Sequence, residues 1–383
     1  MKRLVLAVVL PLLSASTAYA ANIPDPPSFD VKAYALMDYQ SGDIIAGFNA
    51  DDHVQPASIT KVMTTYIAFD ELKKGRIQPD ETALISEKAW HEGIDSSESR
   101  MFVEVGTHVK VMDLLRGIII ASGNDASIAL AEHLAGTEDA FADLMNEYAK
   151  TLGMKNSHFV DASGMPNPDH YTTAHDLTIL ARALIHNFPE YYKIYSEREF
   201  EYGIKHPQQN RNGLLWKDPS VDGIKTGHTQ AAGYCLLSSA QRDGRRLIAA
   251  VMGAKTWAGR EQDSLALLNW GFRFYETDSY FGPNSPAASV RVWKGADDHV
   301  EVGTLEPIAL SLPRDSAAHL QVTKTIREPL VAPLAVGAPV GEAVIQLDGK
   351  TLRTEPLVAL KAVAAGSWWR RLVDQIRLWL HWT

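Results

Sequence analysis

Three short motifs in this 383-residue chain place hydroxyls, amines and an amide where they can do chemistry: Ser58-Ile59-Thr60-Lys61, Ser122-Gly123-Asn124 and Lys225-Thr226-Gly227. On a helix, Ser58 and Lys61 share a face. A serine hydroxyl is a weak nucleophile and needs a base within hydrogen-bond reach. Lysine is such a base only when neutral; desolvation beside an apolar helix, with a second cation such as Lys225, pushes it that way. Ser122 fits a proton relay between Lys61 and a leaving amine. Asn124 suits the orientation of a substrate amide, and Lys225 and Thr226 offer a cation and a hydroxyl to a carboxylate. Gly227 lets a substrate backbone lie against a strand edge. An oxyanion hole needs two backbone N–H groups, and Ser58 and His228 are placed to supply them. Taken singly, each motif has a plain structural reading: Ser58 as a helix cap, Lys61 as a snorkelling surface residue, the other two as a helix break and a turn. In this order, each on a suitable element, they favour acyl transfer through a serine.

The elements that must carry these groups are legible around them. Val62 to Phe69 is apolar and β-branched enough to be a buried helix, so Ser58 and Lys61 belong at the core's edge. Residues 111–135 read as two helical stretches broken at Ser122-Gly123-Asn124, a loop between apolar walls. "VKAYALMDYQSGDIIAGFN" reads as two strands joined at Ser41-Gly42-Asp43, and "GYCLLSSAQRDGRRLIAAVMGA" as a hairpin turning at Asp243-Gly244. The order of two strands, many helices, a hairpin and a last helix predicts one sheet built from both ends of the domain. A composition shift at "FGPNSP", residues 281–286, introduces alternating text that predicts a small all-β domain.

Composition bounds the rest. Apolar residues make up 46% of the chain, enough for a packed core and two domains. The net charge of −9 gives no electrostatic support for a nucleic-acid partner. Lys2 and Arg3, the apolar run "LVLAVVLPLL" and the small residues Ala18 and Ala20 predict a cleaved export signal over residues 1–20. Cys235 is the one cysteine, so no intrachain disulfide is possible. It lies in strand text and reads as a packed thiol rather than a reactive one. There are 13 histidines but no H-E-x-x-H. His170 and His175 sit in loop-like text with no matching ligand set, so no metal is expected.

The motif set occurs in penicillin-binding proteins and class A β-lactamases. The chain resembles the serine D-alanyl-D-alanine carboxypeptidases, the low-molecular-mass penicillin-binding proteins of the 5/6 type. Beyond the motifs, the resemblance rests on "RNGLLWKD", "VDGIKTGHTQAAGYCL", "GREQ" before a Leu-Leu-Asn-Trp-Gly run, the all-β domain and the tail. It implies an α/β fold of the β-lactamase/transpeptidase-like type over residues 21–284, an antiparallel sheet flanked by helices. An all-β domain over 285–362 and an amphipathic helix over 363–383 follow. It implies Ser58 as acyl-ester nucleophile, Lys61 as proton acceptor, Ser122 as second catalytic residue and Lys225 as substrate ligand. By the same resemblance Arg211 and Arg260 help bind the substrate's terminal carboxylate; ordinary structural arginines are the alternative. The implied reaction removes the terminal D-alanine of a peptidoglycan pentapeptide without a cofactor, and β-lactams acylate the same serine.

Three rivals remain at this point. A β-lactamase needs a deacylating glutamate after the second motif, and residues 148–189 contain none, although Asp161, Asp169 and Asp176 are there. A D,D-endopeptidase uses the same machinery, and the choice depends on cleft shape. A non-catalytic cell-wall scaffold would leave the intact motifs unexplained.

The tail adds a membrane. Trp368, Trp369, Leu372, Val373, Ile376, Trp379 and Leu380 recur at helical steps, with Arg370, Arg371, Asp374, Gln375 and Arg377 opposite. Trp382 adds a further interfacial ring. This predicts an in-plane anchor on the outer face of the cytoplasmic membrane; a helix docked on the chain's own β domain is the alternative.

Overall fold

A computed structural model describes residues 23–92, 99–280 and 286–380. The expected export signal and Trp382 lie outside the described residues. The chain divides into two compact units, one made of Asp25–Asp278 with Ala309–Ser311 and the other built mainly from Ser279–Ile308 and Leu312–Thr383. The division falls at Asp278/Ser279, a few residues before the 284/285 boundary that the composition shift suggests.

The first unit holds a five-stranded sheet. Its strands are β1 (Ala33–Asp38), β2 (Ile44–Phe48), β3 (Val221–Thr229), β4 (Gly233–Arg242) and β5 (Arg245–Ala254). They run in the order β2-β1-β5-β4-β3 with every pairing antiparallel. The sheet therefore joins the two ends of the unit, as the order of elements predicts, and leaves β3 as an edge. Cys235–Ala240 and Leu247–Met252 are buried without alternation, the pattern of strands covered on both faces. The long helices are α1 (Lys61–Lys73), α2 (Asn124–Ala135), α3 (Glu138–Leu152), α4 (Ala174–Asn187) and α5 (Trp257–Phe274). His175, expected in a loop, sits in the first turn of α4, where Thr173 caps the helix.

Helix α1 is the centre of this unit. Val62, Met63, Ile67, Ala68 and Phe69 are fully buried, each large side chain stabilising by about 1.5–3 kcal/mol. Thr64 and Thr65 are buried too, and their hydroxyls bond the Ala162 carbonyl at 2.7 Å and the Lys61 carbonyl at 3.0 Å. The helix is buried from Lys61 through Phe69, and Ser58 and Lys61 lie at its N-terminal end.

The second unit is a six-stranded sheet: β6 (Ala288–Trp293), β7 (His299–Gly303), β8 (Leu320–Ile326), β9 (Leu330–Val331), β10 (Pro339–Leu347) and β11 (Lys350–Ala359). The order is β8-β10-β11-β7-β6-β9, with only the short β9 parallel to its neighbour. Val290, Val292, Val302, Val340, Leu357 and Ala359 form its core. Strand-like pairing continues to Val363 and Ala365, which bridge Leu334 and Gly295. The terminal helix α6 therefore runs over Trp368–Trp379, capped by Ser367, rather than from residue 363.

Candidate active site

The nucleophile segment is a 3-10 turn, Ala57–Thr60, leading directly into α1. Ala57 has a left-handed backbone, φ 49°, a conformation costly for a residue with a Cβ. Gly164, at φ 89°, packs on this turn so tightly that a Cβ would lie 1.9 Å from the Ala57 carbonyl oxygen. Gly227 does the same from β3, where a Cβ would lie 2.7 Å from Pro56 O and 3.2 Å from Ser58 N. The structure thus gives Gly227 a second purpose beyond that expected: it lets the nucleophile turn abut the edge strand.

Lys61 is buried, and Nζ donates to Ser58 Oγ at 3.0 Å, Asn124 Oδ1 at 2.7 Å and the Ser163 carbonyl at 2.7 Å. Asn124 is thus engaged with the lysine; its Nδ2 donates to Met165 Sδ at 3.5 Å. The predicted break at the second motif takes a specific form. A π-turn over Gly117–Ala121 precedes Ser122, whose φ is 62°, and Asn124 already opens α2. Such turns and left-handed residues recur at functional sites.

Ser122 is buried, and Lys225 Nζ donates to its Oγ at 2.9 Å. Burial, reinforced by the charges of Lys61, Arg211 and Arg260, pushes Lys225 well below the usual lysine pKa. Arg211 Nε donates to the Ala121 carbonyl at 3.1 Å, and Arg260 Nη1 to the Gly227 carbonyl at 3.3 Å. Burial lowers the pKa of both guanidinium groups, which remain cations. Arg260 Nε is buried without a hydrogen-bond partner among the described residues, a cost that an incoming acceptor would relieve. His228 stacks on Tyr234 at 4.0 Å, and burial, then Arg260, lowers its pKa.

Ser58, Ser122, Arg211, Thr226, Gly227, His228 and Arg260 line one cleft of about 250 Å³. Lys61 and Lys225 reach it through the Ser58 and Ser122 hydroxyls they contact, and Asn124 lies one step behind, on Lys61. No acidic side chain lines it among the described residues. Ser99, Tyr234 and Trp257 also line the cleft, and sequence reasoning did not single them out. Tyr234 stands opposite His228 in the β3–β4 register, so the hairpin could have revealed it. Ser99 has no such signal. Its segment is held by Asp125, whose carboxylate accepts the backbone N–H of Met101 and Phe102, both at 2.8 Å.

A buried network supports the lysine from behind. His170 Nε2 lies 2.9 Å from Thr60 Oγ1, and Nδ1 lies 3.2 Å from Asp161 Oδ2. Asp161 in turn accepts from the backbone N–H of Ser163 at 2.7 Å and of Met165 at 3.2 Å. Burial alone would raise the Asp161 pKa, but His170 and the Gly164 and Ser163 N–H groups hold it down to about 2. The Ser163 carbonyl on that turn is the one facing Lys61. Asp176 is tied to Asn156 N at 2.8 Å and Ser157 Oγ at 2.7 Å. Neither Asp161, Asp169 nor Asp176 lines the cleft. Among the described residues no His, Cys, Asp and Glu cluster could hold a metal.

Residues 20–256 match the D-alanyl-D-alanine carboxypeptidase family, and residues 275–365 match the penicillin-binding protein 5 C-terminal domain. The chain is 41% identical to D-alanyl-D-alanine carboxypeptidase DacA of Escherichia coli strain K12, over 100% of this chain and 97% of the relative. Penicillin-binding protein 5 of Haemophilus influenzae superposes with a TM-score of 0.85 at 39% identity, covering 89% of this chain and 99% of that one. Penicillin-binding protein D2 of Listeria monocytogenes, solved in an ampicillin-bound form, gives a TM-score of 0.58 at 28% identity, covering 65% of this chain and 100% of that one.

Proposed function

This chain belongs to the D-alanyl-D-alanine carboxypeptidase family, and we propose that it removes the terminal D-alanine of peptidoglycan stem pentapeptides through an acyl-enzyme on Ser58. It is a serine-type hydrolase with a penicillin-binding fold. Ser58 Oγ attacks the carbonyl of the penultimate D-alanine while Lys61 accepts the hydroxyl proton. The Ser58 and His228 N–H groups stabilise the oxyanion. The proton passes by way of Ser122 to the leaving amine, and water then hydrolyses the ester. Arg211, Arg260, Lys225 and Thr226 receive the terminal carboxylate.

The observation that carries this reading is charge: a hydrogen-bonded Ser58–Lys61 pair beside Lys225, Arg211 and Arg260, in a cleft without an acidic lining residue. Such a site is incomplete until a carboxylate arrives. β-Lactams present an acylating amide and a carboxylate together, so they label the same serine. The test is D-alanine release from a muropeptide pentapeptide, with the C-terminal amide as control; equal turnover of both would refute carboxylate recognition. The β-lactamase reading is disfavoured because the aspartates that could replace its glutamate lie outside the cleft lining.

We further infer export, from the leader-like residues 1–20, and peripheral attachment to the outer face of the cytoplasmic membrane through α6. Among the described residues no helix is long and apolar enough to cross a membrane. Helix α6 turns polar residues toward its own β unit. The Asp374 carboxylate accepts from Lys294 N at 2.6 Å, and Arg370 Nη1 donates to the Ala296 carbonyl at 3.1 Å. Trp368, Trp369, Leu372, Ile376 and Trp379 are exposed, Trp379 to 78%. This supports an in-plane anchor, since a helix docked for stability would bury that stripe. Sedimentation with anionic vesicles tests it: Ile376→Glu with Trp379→Glu should release the protein, and retention would argue against the anchor.

A further inference from the structure

Arg211 sits between two buried asparagines. Asn210 and Asn212 are 6% and 1% exposed, while Arg211 between them lines the cleft. A buried amide is costly unless its oxygen and its nitrogen both find partners, and in each of these asparagines both do. Asn210 Nδ2 donates to the Glu197 carbonyl at 3.0 Å and to the Tyr195 carbonyl at 3.3 Å, and its Oδ1 accepts from Asn212 N at 3.0 Å. Asn212 Oδ1 accepts from Leu214 N at 3.2 Å, and its Nδ2 donates to the Gly223 carbonyl at 2.9 Å. That last bond leaves the segment: Gly223 stands on β3, two residues ahead of Lys225.

The three cations assigned to the substrate's carboxylate are therefore attached to one frame. Arg211 belongs to the asparagine segment and reaches the second motif, where its Nε donates to the Ala121 carbonyl next to Ser122. Lys225 is tied to the same segment through Gly223 and Asn212. Arg260 stands on α5 beside Glu261, whose carboxylate lies so close to Gly213 that a Cβ there would overlap it. Like charges repel at short range in a cleft of low dielectric, so their separation must be imposed by the backbone that carries them. An incoming carboxylate gains most from cations already in place, since none of its binding energy then goes into reordering them. An amide offers no charge and is indifferent to their placement.

We propose that Asn212, backed by Asn210, is a positioning residue that fixes Arg211 and Lys225 relative to each other and so sets the preference for a free C-terminal carboxylate. It touches no substrate and acts through the two cations. The proposal rests on the carboxylate recognition inferred above. A plainer role, an amide that only closes a turn, accounts for the Oδ1 contact with Leu214 N. It does not account for the Nδ2 bond to Gly223, which crosses to the strand of the third motif.

The test measures kcat/KM of the purified full chain on a muropeptide pentapeptide and on its C-terminal amide, with the Tm of each variant alongside. Asn212→Ala should lower kcat/KM on the free acid by about tenfold, as for a misplaced binding group, and leave the amide within about twofold of wild type. Acylation by penicillin, which carries a carboxylate, should slow by a similar factor. Asn210→Ala removes only the backing and should move the acid-to-amide ratio the same way by less. Asn187→Ala loses a hydrogen bond to Tyr66 OH of 2.8 Å in the same unit, and should lower Tm without moving the ratio. An equal loss on acid and amide in Asn212→Ala, or a ratio that Asn187→Ala moves as far, overturns the proposal and leaves Asn212 a structural residue. Should Asn212→Ala not fold, an unchanged ratio in Asn210→Ala overturns it as well. A wild type that turns over acid and amide alike refutes carboxylate recognition itself, and the proposal with it.

Discussion

Lys225 Nζ donates to Ser122 Oγ across 2.9 Å, with both side chains buried. This bond joins the third motif to the second and sets a cation beside the hydroxyl assigned to proton relay. Lys225→Ala should therefore do two things at once. Turnover of free-acid peptides should fall by at least about 100-fold, as for loss of a charge-assisted contact made in the transition state. Discrimination against C-terminal amides should largely vanish. A variant that keeps the full preference for the acid would move carboxylate recognition to Arg211 and Arg260.

The same lysine gives a pH signature in stability. Its folded pKa lies well below the usual 10.5, from burial and then from Lys61, Arg211 and Arg260. Between the folded and unfolded values the unfolded chain binds the extra proton, so stability rises with pH through that window. Its contribution is present above the unfolded value and is lost as pH falls through the folded one. The Tm of wild type relative to Lys225→Met should therefore increase as pH climbs toward 10.5. A Tm difference independent of pH would contradict the buried, destabilised ammonium.

Lys61 offers three N–H groups to Ser58, Asn124 and the Ser163 carbonyl. As proton acceptor it must lose one of those protons, and guanidinium cannot do so. Lys61→Arg should acylate with penicillin at least about 1,000-fold more slowly than wild type, nearly as slowly as Lys61→Ala. Substantial acylation by the arginine variant would remove Lys61 from the base role.

His170 bridges Thr60 and Asp161 without facing the cleft. Removing it leaves the buried Thr60 hydroxyl short of a partner, at about 1–3 kcal/mol, and takes one contact from the half-buried Asp161, which keeps the Ser163 and Met165 N–H groups. It also loosens the turn that presents the Ser163 carbonyl to Lys61. His170→Ala should slow acylation by about tenfold and shift its pH profile, whereas His170→Gln, with a donor and an acceptor, should recover both. A pH profile unchanged in His170→Ala would confine the network to stability.

Much of this site was legible because its side chains sit in three contiguous motifs on elements with clear periodicity. The apolar run after Lys61 marked α1, and Asp243-Gly244 marked the β4–β5 hairpin. The Ser163 carbonyl was not legible, since a backbone acceptor has no residue signature. The Thr60–His170–Asp161 chain joins residues 110 positions apart by packing alone. The contact of Asn124 with Lys61 has no sequence signature either, because it depends on how α2 crosses α1. Residues 363–365 fall inside the helix expected over 363–383, yet pairing of Val363 with Leu334 and of Ala365 with Gly295 keeps them extended.

Mass spectrometry can locate the acyl group that Ser58 is proposed to carry. Wild type and Ser58→Ala are each incubated with penicillin and with a muropeptide pentapeptide, and adducts are mapped by proteolysis while free D-alanine is measured. Wild type should carry one penicilloyl group, on the peptide containing Ser58, and should release D-alanine. Ser58→Ala should do neither while keeping a wild-type circular dichroism spectrum. A stable adduct on Ser58→Ala, or on Ser122 in wild type, would contradict the assignment.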